Sequence, residues 1–167
     1  MAATTFAAFC EEQYPRLVGV LRLHVRDDHL AQELAQEAMA RACRDWEKVS
    51  QVDAPAAWVY RVGFNLANSH YRRRAVYRRI RQRLEADGVD HSDADTAEDR
   101  LLVRAALARL RPRARQALIL RYYADLAVDE VARLMGCPAS TVKTLTRRGL
   151  SQLRAQPEFA AAAKGTP

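Results

Sequence analysis

The stretch EADGVDHSDADTAED, residues 85–99, carries seven acids and no Lys or Arg, in a chain whose formal net charge is +7. It divides the sequence into two basic parts. Residues 1–84 hold fourteen Lys/Arg against nine Asp/Glu, and residues 100–156 hold twelve against three. A segment this charged and this poor in apolar residues cannot bury enough surface to offset the entropy lost on ordering. It predicts a flexible acidic linker over 85–99 between two small basic domains, 1–84 and 100–156, with a flexible tail at 157–167. The rival reading is a solvated loop on a single domain, and 167 residues accommodate either.

Gly and Pro are sparse, six of each, and no run alternates apolar and polar residues for long, so the expected fold class is all-α. Phe6, Phe9, Cys10, Tyr14, Leu17, Val18, Leu21 and Val25 recur at steps of three and four, with Pro15 expected to kink or break that first helix. Asp27 or Asp28 can cap a second helix, which places Leu30, Leu34, Ala38, Ala42 and Trp46 on one face and Glu33, Gln36, Glu37, Arg41 and Arg44 on the other. After a short loop around KVSQVDA, Pro55 suits the first turn of a third helix, with Trp58, Val59, Val62 and Leu66 as its buried stripe. In the second domain, LLVRAALARLRPRARQALILRYYADL reads as two helices broken near Pro112, burying Leu107, Leu110, Ala117, Leu118 and Leu120.

No stretch reaches the roughly 20 apolar residues of a membrane-spanning helix, and MAATTFAAFCEEQYP lacks the charged start and apolar run of a secretory signal, so a cytoplasmic location without membrane insertion is expected. Cys10, Cys43 and Cys137 lack metal-type spacing and sit among apolar helical neighbours, which predicts buried thiols. No metal and no cofactor is called for: His24, His29 and Cys43 share no obvious face. The net positive charge points to an anionic partner, nucleic acid before an acidic membrane surface.

Two segments carry that charge in a usable form. Residues 71–83 hold seven arginines, with Tyr71 and Tyr77 among them and no acid. Helical arginines neutralise phosphates, and interleaved aromatics can stack on exposed bases. In AVDEVARLMGCPASTVKTLTRRGLSQLR, Ala132, Gly136 and Val142 fall where two steeply crossing helices need a small residue, a turn residue able to take positive φ, and an apolar anchor. That spacing predicts a helix-turn-helix, with Pro138 and Ser140 starting its second helix and Ser140, Thr141, Lys143, Thr144, Arg147 and Arg148 exposed on it.

Taken in order, ELAQEAMARACRDW, PAAWVYRVGFNLANSHYRRR, the acidic linker and LRPRARQALILRYYADLAVDEVARLMGCPASTVKTLTRRGLSQLR resemble the extracytoplasmic-function (ECF) group of bacterial RNA polymerase sigma factors. The resemblance implies a non-catalytic subunit that binds core RNA polymerase, recognises promoter DNA and helps melt it. It implies docking on polymerase through Glu33, Gln36, Glu37 and Arg41. It implies contact with the promoter element nearest the start site through Asn65, Ser69, Arg72, Arg73 and Arg74, Asn65 reading a flipped base and the arginines holding the backbone. The face from Ser140 to Arg148 would read the distant element in the major groove. An anti-sigma factor is a further partner the resemblance allows, of an identity this sequence does not carry.

The sequence departs from the family pattern at two positions. Ser69 stands where the family commonly has an acid, and Ala127 where it has a Ser or Thr helix cap, a change worth about 1 kcal/mol at that helix start. An acidic tether between two DNA-binding domains is repelled by phosphates and so stays off the duplex. Fifteen extended residues reach about 50 Å, enough to separate two promoter elements. Two rivals are a stand-alone helix-turn-helix regulator and a small hydrolytic enzyme. The first leaves the arginine-rich N-terminal helix without a role, and the second finds no Gly-rich phosphate loop or Ser/His/Asp grouping.

Overall fold

The computed structural model describes residues 5–82 and 98–157, and every described element is helical. The chain forms two compact units, one mainly from residues before the acidic stretch and one mainly from those after it.

The first helix, α1 (Phe6–Val25), runs unbroken through Pro15. An internal proline removes one helical hydrogen bond and costs about 3 kcal/mol in an isolated helix. Here the buried Phe9 and Gln13 before it and Leu17, Val18, Val20 and Leu21 after it hold both halves in one line, and each fully buried aliphatic contributes about 1.5–3 kcal/mol. Packing therefore wins over the expected break. Arg26 turns the chain with φ 64°, and the Asp27 carboxylate accepts from the Leu30 N–H at 2.9 Å, so Asp27 is the cap of α2 (Asp28–Arg44).

The buried face of α2 is mostly small: Ala31, Leu34, Ala35, Ala38, Met39 and Ala42. These alanines let α4 (Pro55–Gln82) pack closely along it. The segment expected to be a plain loop begins with a short helix, α3 (Trp46–Val49), and Trp46 lies edge-on to Phe6 with ring centres 5.4 Å apart and against Phe9 at 5.0 Å. The buried stripe of α4 is Val59, Tyr60, Phe64 and Ala67, whereas the expected Trp58, Val62 and Leu66 are only half-buried beside it. The larger aromatic areas of Tyr60 and Phe64 turn the helix away from the purely aliphatic register.

In the second unit, α5 (Glu98–Ala108) takes in Glu98 and Asp99, which were assigned to the linker. The chain breaks at Arg109–Arg111, and Pro112 then starts α6 (Pro112–Leu118). A π-helical turn, Ile119–Tyr123, follows, and Asp125 with φ 52° closes it. Leu107, Leu110, Ala117, Leu118 and Leu120 are all buried as expected, together with Ile119, Val131 and Val142. Gln156 secures the far end, its amide N–H donating to the Ala106 carbonyl at 3.1 Å and its amide oxygen accepting from Arg109 at 3.4 Å. The cysteine expectation fails: Cys43 is exposed, and Cys10 and Cys137 are half-buried. Cys43 lies seven residues after Gln36, on the solvent side of α2 despite its apolar neighbours.

Candidate nucleic-acid interface

The geometry of the helix pair is set by the turn between α7 (Val128–Met135) and α8 (Ala139–Arg154). Gly136 adopts φ 58°, ψ 46°, a left-handed geometry that costs an ordinary L-residue about 1–2 kcal/mol. The Cys137 N–H donates to the Ala132 carbonyl at 3.1 Å and the Gly136 N–H to the Arg133 carbonyl at 3.4 Å, the paired bonds of a Schellman ending. Val142 is fully buried and Ala132 nearly so, which fulfils the small-residue, turn and anchor spacing of the sequence. A Cβ at Gly149 would lie 2.8 Å from Leu118, so the glycine is what lets α8 approach α6 so closely. Pro138, in extended geometry, is the residue that starts α8, and Ser140 lies inside the first turn without capping it.

Ser140, Lys143, Arg147 and Arg148 are exposed, and Thr141 and Thr144 half-buried. At about 100° per residue, Ser140, Lys143, Thr144, Arg147 and Arg148 span one face, with Lys143 and Arg147 along one edge and Thr141 and Arg148 along the other. The Thr144 hydroxyl donates to the Ser140 carbonyl at 3.0 Å, which leaves it only as an acceptor toward anything outside.

On α4, Asn65, Arg72, Arg73 and Arg74 are exposed and Ser69 is half-buried. Asn65, Ser69, Arg72 and Arg73 follow one another at helical spacing on a single face, and the Ser69 hydroxyl accepts from Arg72 at 3.2 Å. Nine positions beyond Asn65, Arg74 falls on the opposite side of the helix, so the structure separates it from the others. Tyr71 is half-buried and edge-on to His70, ring centres 6.1 Å apart. The side chain of Tyr77 and those of the arginines following it lie outside the described residues.

On α2, Glu33, Gln36 and Glu37 are exposed and Arg41 is half-buried. Arg41 donates to Glu37 at 2.7 Å, and His29 stands 3.4 Å from Glu33. Gln36 lies between these pairs on the same polar face.

Sequence reasoning assigned no role to Arg121, Tyr122 or Arg154, yet they line one cleft beside α8 with Lys143 and Arg147. The spacing of 143, 147, 150 and 154, a continuous helical stripe, is the signal that could have found it.

Residues 9–77 match the model of sigma-70 region 2, and residues 100–153 match that of sigma-70 region 4. The RNA polymerase sigma-E factor of Streptomyces antibioticus is 31% identical over 128 residues, covering 77% of this chain and 71% of that protein. The chain belongs to the RNA polymerase sigma factors, in their ECF group. This sigma factor is also 29% identical to the sigma-E factor of Streptomyces coelicolor over 149 residues, 89% of this chain and 84% of that one. It shares 27% identity with the ECF sigma factor SigW of Bacillus subtilis, over 77% of this chain and 74% of that one. Its fold resembles that of the sigma factor RpoE from Bartonella quintana, solved in complex with the anti-sigma factor NepR, with a TM-score of 0.75 at 19% identity, covering 89% and 94% of the two chains. It is an alternative sigma factor, and the stand-alone regulator reading is not favoured. Among the described residues, no helix is long and apolar enough to cross a membrane.

Proposed function

We propose that this sigma factor docks on core RNA polymerase through the polar face of α2, engages the promoter element nearest the start site with α4, and reads the distant element with α8. The observation that supports this reading is that one chain presents two exposed, arginine-bearing helical faces in two separate units, each with amide or hydroxyl side chains beside its arginines. On α4, Asn65 offers an amide donor and acceptor on the face it shares with Ser69, Arg72 and Arg73. Arginines clamp phosphate without sequence information, while the amide can read the edge of a flipped base. Arg74, on the other side of the helix, holds the backbone from that side. On α8, Ser140, Thr141, Lys143, Thr144, Arg147 and Arg148 meet the major groove.

The protein carries out no chemistry of its own in this scheme, works in the cytoplasm beside polymerase, and is a candidate for control by an anti-sigma factor, as the RpoE relative's complex with NepR suggests. The test is initiation by holoenzyme on promoters varied one base at a time. Asn65→Ala should alter base preference at one position, and Arg73→Ala should weaken all promoters alike. If Asn65→Ala keeps full preference at every position, Asn65 is a structural residue of α4 and this assignment is wrong.

A further inference from the structure

Val76 is an apolar side chain left 55% exposed near the end of α4, a helix that carries no acid from Pro55 to Gln82. It is not a fringe of the core. Ala67 is the last buried side chain among the described residues of α4, and Val76, nine positions on, lies about 13 Å farther along the axis and on the opposite side of the helix. Valine also brings nothing to an exposed helical position by propensity, since its branched side chain loses rotamer freedom against the preceding turn. What Val76 shares is the face of Asn65, Ser69 and Arg72. The four follow at intervals of four, three and four residues, so that Val76 falls within about 20° of Asn65 around the axis. Arg72 and Arg73, four and three positions before it, are both exposed and stand on either side of it.

We infer that Val76 reads the methyl group of a thymine in the duplex bordering the melted element. The inference rests on α4 being the helix that engages the element nearest the start site, and it extends that helix's contact from unpaired to paired DNA. The opened stretch must contain the start site, so the strands on the far side of the element stay paired and show only the edges of their bases. In the major groove thymine is the base that presents a methyl group, and an apolar side chain packs against it where a hydrogen-bonding one gains nothing. Eleven residues of helix span about 16 Å, the rise of about five base pairs. Asn65 on a flipped base and Val76 on a paired one therefore fit a single helix laid along the DNA. Arg72 and Arg73 hold phosphates, which fixes the register of the helix without reading sequence. Val76 between them carries no charge and is too short to follow them to the backbone, so it is left to the groove. Its contact removes apolar surface from water only where a methyl group waits, which makes it a determinant of sequence and not of general affinity.

Holoenzyme assembled from the full chain and core polymerase, bound to promoters in which each pair bordering the element is varied in turn, with uracil and 5-methylcytosine among the bases, tests the assignment. Wild type should prefer thymine at one position, about four to six pairs from the base whose preference Asn65→Ala alters. Uracil, which lacks only the methyl group, should lower affinity there about fourfold, the worth of one buried methylene-sized group, and 5-methylcytosine should bind better than cytosine. Val76→Ala should erase both differences while leaving the preference read by Asn65 and the salt dependence of binding unchanged, and Val76→Ile should keep them. If wild type binds uracil and thymine alike at every paired position, or if Val76→Ala retains the difference, the thymine contact is wrong and the reading by Asn65 stands. If Asn65→Ala alters no preference either, α4 is not a reading helix and both fall. A Val76→Ala variant that assembles poorly with core polymerase and still distinguishes uracil from thymine places the valine against protein and overturns the inference.

Discussion

Ala127 precedes α7 in extended geometry, φ −64°, ψ 156°, with only half of a reciprocal cap in place: its N–H donates to the Glu130 carboxylate at 2.7 Å, but a methyl group can return nothing to the helix. Ala127→Ser restores the missing acceptor for the Glu130 N–H, and should raise stability by about 1 kcal/mol, read as a higher midpoint in urea unfolding with an unchanged slope. A lower midpoint would mean that the exposed Ala127 is held by contacts a serine disturbs. Residues whose role is fixed by backbone geometry were the most legible in the sequence. Gly136 stood out because so few residues accept positive φ, and Val142 because its distance from Gly136 is set by the turn. Cys43 was not legible, since apolar sequence neighbours say little about which side of a helix a residue occupies when α2 buries mostly alanine. The side of α4 on which Arg74 falls was likewise not legible: adjacency in sequence to Arg72 and Arg73 does not place it on their face.

At the scale of elements, helix starts followed local chemistry closely, with Asp27, Pro55 and Pro112 each at or next to the first residue of a helix. Interiors were less legible. The register of α4 was misjudged because aliphatic periodicity was weighed above the area of Tyr60 and Phe64, and the continuity of α1 because the local cost of Pro15 was weighed without the packing on either side. The π-helical turn left no readable trace, since it depends on how α6 and α7 must join and on no single residue. The polar face of α2 was legible as amphipathic spacing, and its proposed use makes a prediction. Changing Gln36 and Glu37 together to Ala should weaken co-purification with core polymerase severalfold while leaving the circular dichroism spectrum unchanged. The Glu37–Arg41 pair is about half exposed and contributes little to the fold, so loss of helical signal would place these residues in the stability of α2, and full retention of binding would remove this face from the docking surface.

For the whole molecule, the charge pattern, seven acids between two basic flanks, is what led to the expectation of two domains joined by a tether. The linker itself, apart from Glu98 and Asp99, and the tail after Pro157 lie outside the described residues. What the sequence did not disclose is the cleft beside α8, which exists only when the π-helical turn brings Arg121 and Tyr122 to a stripe ending at Arg154. The account's central claim is that two DNA-binding faces on one chain serve polymerase together. Transcription in vitro by core polymerase on a promoter library, with and without this chain, tests that claim most directly. The account predicts initiation at a defined subset of promoters only when the chain is present, weakened at all of them when Arg73 is replaced by alanine and shifted in promoter preference when Arg148 is. A chain that binds duplex by itself and leaves the start sites used by core polymerase unchanged would contradict it.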